Sequence, residues 1–392
     1  MPEAPSTAVQ PYGNYQYGIY LAGLQGRRPR RPLDWDELER RAEQALPAEA
    51  WGYIAGAAGR EETMRANRAA LQSRQIVPRM LRDVAERSLA RTVLGTELPA
   101  PVMLAPIGVQ SLAHPEAELA SARAAASVGL PYVASSAATH TWEQIAEASG
   151  DGPRWYQLYW PRDRELAASF VTRAERAGYT AVVLTVDTWQ LGWRPRDLGH
   201  GFLPFLWGEG NINYLQDPVF RAALAQPPEE DMQAAIGHWA YEFANPTITW
   251  ADLAWLREQT DLPVLLKGIV HPDDARLAVE HGADGVIVSN HGGRQVDGAI
   301  GALDALPAVV EAVGGACEVL FDSGIRSGAD VLKALALGAR AVLLGRPYVW
   351  GLALGGEDGV RDVLLSLLAD LDLTMALSGR AHIDEIDSSL LA

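Results

Sequence analysis

From residue 101 onward, apolar runs of three to six residues alternate with longer stretches in which apolar positions recur every three or four residues. The first pattern predicts strands buried on both faces and the second predicts amphipathic helices, so the chain reads as βα units around a parallel sheet. Eight runs are present, at 102–105, 131–134, 154–158, 181–186, 264–266, 285–288, 318–321 and 341–344. Gly178, Gly282 and Gly338 stand just before three of them, where a helix must end in a left-handed turn. Eight units in about 250 residues predict an α/β fold, a closed (β/α)8 TIM barrel. An open doubly wound sheet would alternate in the same way, but no GxGxxG turn follows the first run.

Ahead of the barrel, 35–56 reads as one or two helices, with Asp34 as N-cap and Leu46-Pro47 as a break. The first thirty residues, rich in Tyr, Gly, Pro and Arg, predict an arm with little core of its own. The domain reading is an N-terminal arm and helical extension over 1–97 and a barrel over 98–392. The barrel carries a lid insertion after its fourth strand, 189–249, about sixty residues where a few are usual. Trp193, Phe202, Phe205, Trp207, Tyr214, Trp239 and Tyr241 are expected to pack that lid, and only 226–231 reads as loose.

Composition narrows the function. With 48% apolar and 21% charged residues the chain is an ordinary globular protein, and its net charge of -16 disfavours nucleic acid or an anionic membrane as partner. Cys317 is the only cysteine, which excludes an intrachain disulfide or a thiolate cluster and suits a reducing, cytoplasmic location. Met1 to Gln10 has neither a basic nor an apolar leader segment, and no run reaches the roughly 18 apolar residues of a spanning helix.

Chemistry gathers where the predicted strands end, as barrels require. The run 285–288 leads into Ser289-Asn290-His291-Gly292-Gly293-Arg294-Gln295-Val296-Asp297, which sets an imidazole three positions from a guanidinium. A neutral histidine takes a proton near pH 7 and an arginine fork holds a carboxylate by two parallel hydrogen bonds, so the pair suits proton abstraction next to a carboxylate. After runs seven and eight, Asp322-Ser323-Gly324-Ile325-Arg326 and Gly345-Arg346 stand where barrels commonly bind phosphate. The other seven histidines, His114, His140, His200, His238, His271, His281 and His382, show no ligand spacing and read as surface or capping groups, and no metal site is expected.

SNHGGRQVD, Leu184 to Thr188 (LTVDT), Gln157-Leu158-Tyr159, Leu266-Lys267-Gly268, DSGIRSG and Gly345-Arg346-Pro347 occur in order at these strand ends. Together they make the chain, from about Trp35 to its end, resemble the FMN-dependent α-hydroxy-acid oxidizing enzymes. Gly192 to Leu198 (GWRPRDL), the tyrosine-rich arm and Gly108 are most similar to the family's lactate 2-monooxygenases.

The resemblance implies FMN as cofactor, with His291 as base and Asp187 holding its ring. It implies that Arg294 and Arg194 clamp the substrate carboxylate and that Tyr53 and Tyr159 bond the carboxylate or hydroxyl. Lys267 would lie beside the flavin N1 and O2 edge; Ser135, Gln157, Thr185 and Ser289 would bond the ring's polar edge, and Asp322, Arg326, Gly345 and Arg346 the ribityl phosphate. Gly108, where related oxidases usually carry alanine, would either leave room for pyruvate or merely shape a turn. Arg60 departs from the family's usual acidic residue.

The activity implied is oxidation of L-lactate with O2 to acetate, CO2 and water. The alternative is an oxidase that releases the 2-keto acid and hydrogen peroxide. A membrane-linked dehydrogenase is disfavoured because the lid has no continuous apolar anchor, and a non-catalytic flavin protein or an isomerase by the His291, Arg294 and Arg194 set. The family also implies a homo-oligomer, a tetramer or octamer.

Overall fold

A computed structural model describes residues 11–392, so the expectation about Met1 to Gln10 lies outside the described residues. Two short antiparallel strands, β1 (Arg91–Val93) and β2 (Thr96–Leu98), precede eight parallel ones. These are β3 (Val102–Leu104), β4 (Tyr132–Ser135), β5 (Arg154–Leu158), β6 (Val182–Thr185), β7 (Val264–Ile269), β8 (Gly285–Val288), β9 (Glu318–Phe321) and β10 (Val342–Leu344). They close in chain order, with β10 pairing β3, into the expected barrel. β7 runs past its predicted end to Ile269, and its register on β8 shifts just after Lys267.

Period-two alternation builds two cores from one set of strands. Met103, Val133, Trp155, Val183, Leu265, Ile287, Leu320 and Leu343 form the inner cluster, joined by Val93 and Leu98 of the hairpin. Trp155 Nε1 donates to Thr96 Oγ1 at 3.1 Å, so β1 and β2 close the amino end of the barrel. The residues between them, among them Val102, Leu104, Tyr132, Ala134, Val286 and Val288, face the surrounding helices. Each such aliphatic side chain contributes about 1.5–3 kcal/mol on burial.

Asp34 caps helix Trp35–Ala45 by accepting from the Glu37 amide at 2.8 Å, and after Leu46-Pro47 the helix Ala48–Ala55 follows, as expected. Helix Tyr15–Leu24 of the arm buries none of its residues; the arm is tied down just before it, where the Gly13 amide donates to Asp372 Oδ2 at 2.8 Å.

The lid departs from expectation in detail. Phe205, Tyr214 and Trp239 are buried and their rings touch, but Trp193, Trp207 and Tyr241 are exposed. Trp193 precedes the inward-facing Arg194 on extended backbone and so points out. Tyr241 lies two positions from both Trp239 and Phe243, which share the buried face of helix Met232–Phe243. The stretch 226–231 is ordered as well: the Glu230 amide donates to Pro227 O at 2.9 Å, Arg221 pairs with Glu229 at 2.9 Å, and Asp231 caps the helix.

Candidate active site

The loop after β8 is held in an unfavourable backbone shape. His291, Gly292 and Gly293 have φ of 58°, 64° and 78°, and for a non-glycine residue such as histidine that region costs on the order of 1–3 kcal/mol. Hydrogen bonds from all sides impose it. Ser289 Oγ accepts from the His291 amide at 3.0 Å, Ser323 Oγ from Gly292 at 3.0 Å, and Asn290 Oδ1 from Gly293 at 3.1 Å. Asn290 in turn exchanges two amide bonds, of 2.8 and 2.7 Å, with Asn67 on the extension helix Glu62–Ser73. The tail of the loop is fixed to the same helix, because Asp297 accepts from the amides of Arg60, Glu62 and Thr63 at 2.6, 2.7 and 3.1 Å. Those contacts use the Arg60 backbone, so the unusual side chain there disturbs nothing.

The imposed turn brings His291 Nδ1 to 2.8 Å from Asp187 Oδ1, and Thr188 Oγ1 donates to the same oxygen at 2.7 Å. Burial opposes the charge of Asp187, but the facing His291 and Lys267 hold its pKa down to about 2. An ionised carboxylate only accepts, so Nδ1 carries the proton and Nε2 keeps its lone pair. Burial, against the pull of Asp187, holds the His291 pKa below its ordinary 6.5, and the imidazole rests neutral at pH 7.

The arginines are placed by the end of helix Ala48–Ala55. Its last carbonyls have no intrahelical partner and carry the negative end of the helix dipole. Arg294 Nη1 donates to Tyr53 O at 2.6 Å and Gly56 O at 2.7 Å, while Arg346 donates to Ile54 O at 3.3 Å, Gly56 O at 2.9 Å and Gly292 O at 3.1 Å. Carbonyls orient a guanidinium without cancelling its charge. Arg194, only 6% exposed, donates through Nε to Arg294 O at 3.0 Å and through Nη2 to Gln295 Oε1 at 2.8 Å. Burial and Arg294 lower its pKa to about 10; burial, Arg294 and Arg326 lower that of Arg346 to about 9. Burial lowers Arg326 to about 10, and its guanidinium lies 4.6 Å from the Trp350 ring centroid. All three stay cationic at pH 7 despite the mutual repulsion, which an arriving anion relieves.

One cavity joins these groups, with about 1130 Å³ of atom-free space counted together with the solvent at its mouth. His291, Arg294, Arg194, Tyr53 and Tyr159 line one end, and Arg326, Gly345 and Arg346 the other. Burial raises both tyrosine pKa values, so each hydroxyl remains a donor. Lys267, Ser135, Asp322 and Gly108 also line the cavity. Asp187, Gln157 and Ser289 stand directly behind it, bonded to His291, Ser135 and Lys267, and Thr185 lies beside Lys267 in the sheet.

The donor set fits a flavin nucleotide. Gln157 Nε2 and Thr185 Oγ1 are buried without a partner, a costly state unless a ligand supplies one. Burial lowers the Lys267 pKa less than Asp322 and Asp187 raise it, so a fixed cation stands in the floor. FMN would be held by Gln157, Thr185, Ser135, Ser289 and Lys267 at its ring and by Arg326, Gly345 and Arg346 at its phosphate.

One site residue gains a partner, and one open alternative narrows. Asp322, which lines the cavity, also pairs with Lys267 at 3.1 Å. At Gly108 a Cβ would meet the Ala137 carbonyl oxygen at 2.5 Å and the Ala137 Cβ at 2.8 Å. The missing methyl therefore lets two loops touch, where Val109 donates to that carbonyl, and vacates no room for pyruvate. Sequence reasoning also missed Thr188, Asn67, Asn290, Gln295 and the lid residues Leu191, Phe205 and Phe243 that line the cavity. Thr188, Asn290 and Gln295 lay inside quoted motifs, while nothing local marked Asn67, whose partner is 223 residues away.

A neutral imidazole and two arginines without carboxylate partners at the carboxyl end of a barrel suit proton abstraction next to a carboxylate, and comparison with known proteins supplies the class. The model of the FMN-dependent dehydrogenase family matches residues 42–392, and the chain belongs to that family. Similar proteins include the FMN-dependent alpha-hydroxy acid dehydrogenase qulF of Penicillium citrinum, 45% identical over 94% of this chain and 92% of its own. L-lactate oxidase of Lysinibacillus sphaericus is 44% identical over 90% and 91%. A crystal structure of mandelate oxidase with (S)-4-hydroxymandelic acid matches with a TM-score of 0.82 and 42% identity, covering 92% of this chain and 98% of the other. FMN is thus the cofactor and oxidation of a 2-hydroxy acid the reaction class. Among the described residues, no helix is long and apolar enough to cross a membrane.

Proposed function

We propose that the protein oxidises L-lactate with O2 and keeps the pyruvate in place until it is decarboxylated, so that lactate and O2 become acetate, CO2 and water. The observation that carries the reading is the meeting of the Asp187-held imidazole with Arg194 and Arg294 in one cavity. Arg194 and Arg294 bind the carboxylate, and the Tyr53 and Tyr159 hydroxyls donate to the carboxylate or the substrate hydroxyl. His291 Nε2 accepts a proton from the substrate, and Asp187 stabilises the imidazolium. FMN, when bound, would supply the two-electron sink, with O2 as the final electron acceptor. Lys267 would set positive charge beside the ring, where charge would accumulate. Leu191, Phe205 and Phe243 of the lid wall the cavity and support retention of the keto acid.

The second reading, an oxidase releasing keto acid and hydrogen peroxide, is favoured by the relatives named L-lactate oxidase and 2-hydroxyacid oxidase. The residue roles are unchanged in it. Incubation with L-lactate in air separates the two: acetate matching lactate consumed supports retention, whereas peroxide and pyruvate matching it supports the oxidase. A flavin that no 2-hydroxy acid bleaches overturns both. Cytoplasmic location and assembly as a tetramer or octamer go with this reading, and light scattering on the holoenzyme tests the latter.

A further inference from the structure

Gln295 lies in the 289–297 loop one residue after Arg294, yet does not line the cavity. Its Nε2 donates to the carbonyls of Asp187 at 2.7 Å and Gln190 at 2.8 Å. Its Oε1 accepts from the Gly192 amide at 3.3 Å and Arg194 Nη2 at 2.8 Å. The orientation is unambiguous, since the two carbonyls only accept and the amide and guanidinium only donate. A primary amide has two donor hydrogens and two acceptor lone pairs, so all of its bonding capacity goes to the span 187–194.

That span begins at the carboxylate holding His291 and ends at a cavity arginine. It also lies flat on the loop, because a Cβ at Gly192 would meet the carbonyl oxygens of Arg294 and Gln295 at 2.6 Å. With Nε on Arg294 O and one Nη2 hydrogen on Gln295, Arg194 keeps Nη1 and the second Nη2 hydrogen for a ligand.

We infer that Gln295 is a positioning residue that sets the proton-accepting pair and the carboxylate clamp in one register, by fixing Asp187 and Arg194 to the loop that carries His291 and Arg294. Substrate binding and proton transfer then depend on a side chain that touches neither substrate nor flavin. The inference rests on the proposed roles of His291 and Arg194.

The test uses the FMN-loaded enzyme and two variants, Gln295→Ala and Gln295→Glu, with every rate expressed per bound flavin. Oxalate, a carboxylate ligand with no hydrogen to lose, reports the clamp through the flavin spectrum; anaerobic reduction at saturating L-lactate reports the base. Gln295→Ala should weaken oxalate binding and raise KM by about tenfold or more, and slow reduction by about tenfold, as loosened catalytic geometry does. It should also move the acid limb of the pH profile of kcat/KM.

Gln295→Glu keeps an acceptor for Arg194 and Gly192 but turns an oxygen toward two carbonyls. It should hold oxalate within about threefold of the parent while reduction slows by about tenfold, a split that a merely structural residue would not produce. Parent-like oxalate affinity, KM and reduction in Gln295→Ala, with losses confined to flavin content and melting temperature, would overturn the inference. If that variant does not fold, equal loss of both properties in Gln295→Glu, or loss of neither, overturns it. Failure of the parent to be reduced by any 2-hydroxy acid sinks the functional reading instead, and the oxalate measurements still decide whether Gln295 sets the clamp.

Discussion

The two ends of the cavity handle charge differently. At the phosphate end Arg346 is bonded to three carbonyls, with Arg326 nearby over Trp350, and both remain cations whose burial is relieved only when an anion arrives. At the reacting end Arg194 and Arg294 are likewise cations without a carboxylate partner, but beside them Lys267 faces Asp322 at 3.1 Å and the Asp187 carboxylate faces the neutral His291 at 2.8 Å. The first end is a standing field that needs no change during turnover. The second is poised so that one proton can arrive on His291 and find its counter-charge 2.8 Å away. Both ends tolerate repulsion among arginines; what sets the reacting end apart is a carboxylate waiting beside the base.

Substitutions should separate the ends. His291→Ala is expected to retain FMN but slow anaerobic flavin reduction by L-lactate about 100-fold or more, the usual share of a general base. Near-parent bleaching would remove His291 from the mechanism. Arg346→Ala should do the reverse, weakening FMN binding by about 30-fold or more as a buried charged hydrogen-bond network is lost. The fraction that still holds flavin should be reduced at close to the parent rate, and ultrafiltration followed by stopped flow reads both numbers.

Arg294→Lys keeps the charge and loses the planar fork, so kcat/KM for lactate should fall by about tenfold, and an unchanged value would place the carboxylate elsewhere. In pH, activity needs neutral His291, whose pKa lies below 6.5. Flavin reduction should therefore be flat above that pH and fall as acid protonates the imidazole, while Asp187, with its pKa near 2, stays ionised throughout. A limb centred above pH 7 would contradict the placement. The smallest effect on chemistry belongs to Gly108→Ala, which should cost about 1–3 kcal/mol of stability from crowding against Ala137 and leave the ratio of acetate to peroxide unchanged.

The barrel was legible because eight strands buried on both faces leave eight apolar runs, and even their ends fell within a few residues. The titrating and charged residues of the cavity were legible for a related reason, since strand ends in a barrel converge and motif order then places His291, Arg294, Asp187, Lys267 and Arg346 together. What escaped was direction. Residue type at 108 gives no hint that a methyl there would strike Ala137, and an aromatic in a lid declares nothing about which face it will occupy, as Trp193 shows. Asp322 was placed by its loop, and only its distance to Lys267 revealed its partner. Long-range amide contacts such as that of Asn67 with Asn290 have no local signature at all.

Helix Ala48–Ala55 and Asn67 precede the first barrel strand, yet one aims two of the cavity's arginines and the other braces the strained turn at His291. A chain severed before β3 would keep every barrel strand but lose β1 and β2, the carbonyls that aim two arginines and the brace of the His291 turn. The helices before residue 98 and the barrel after it thus share one hydrophobic core as well as one site. Exchanging barrels between relatives without their preceding helices should give proteins that fold and do no chemistry, whereas a swap that carries 48–73 along with the barrel should transmit the activity intact.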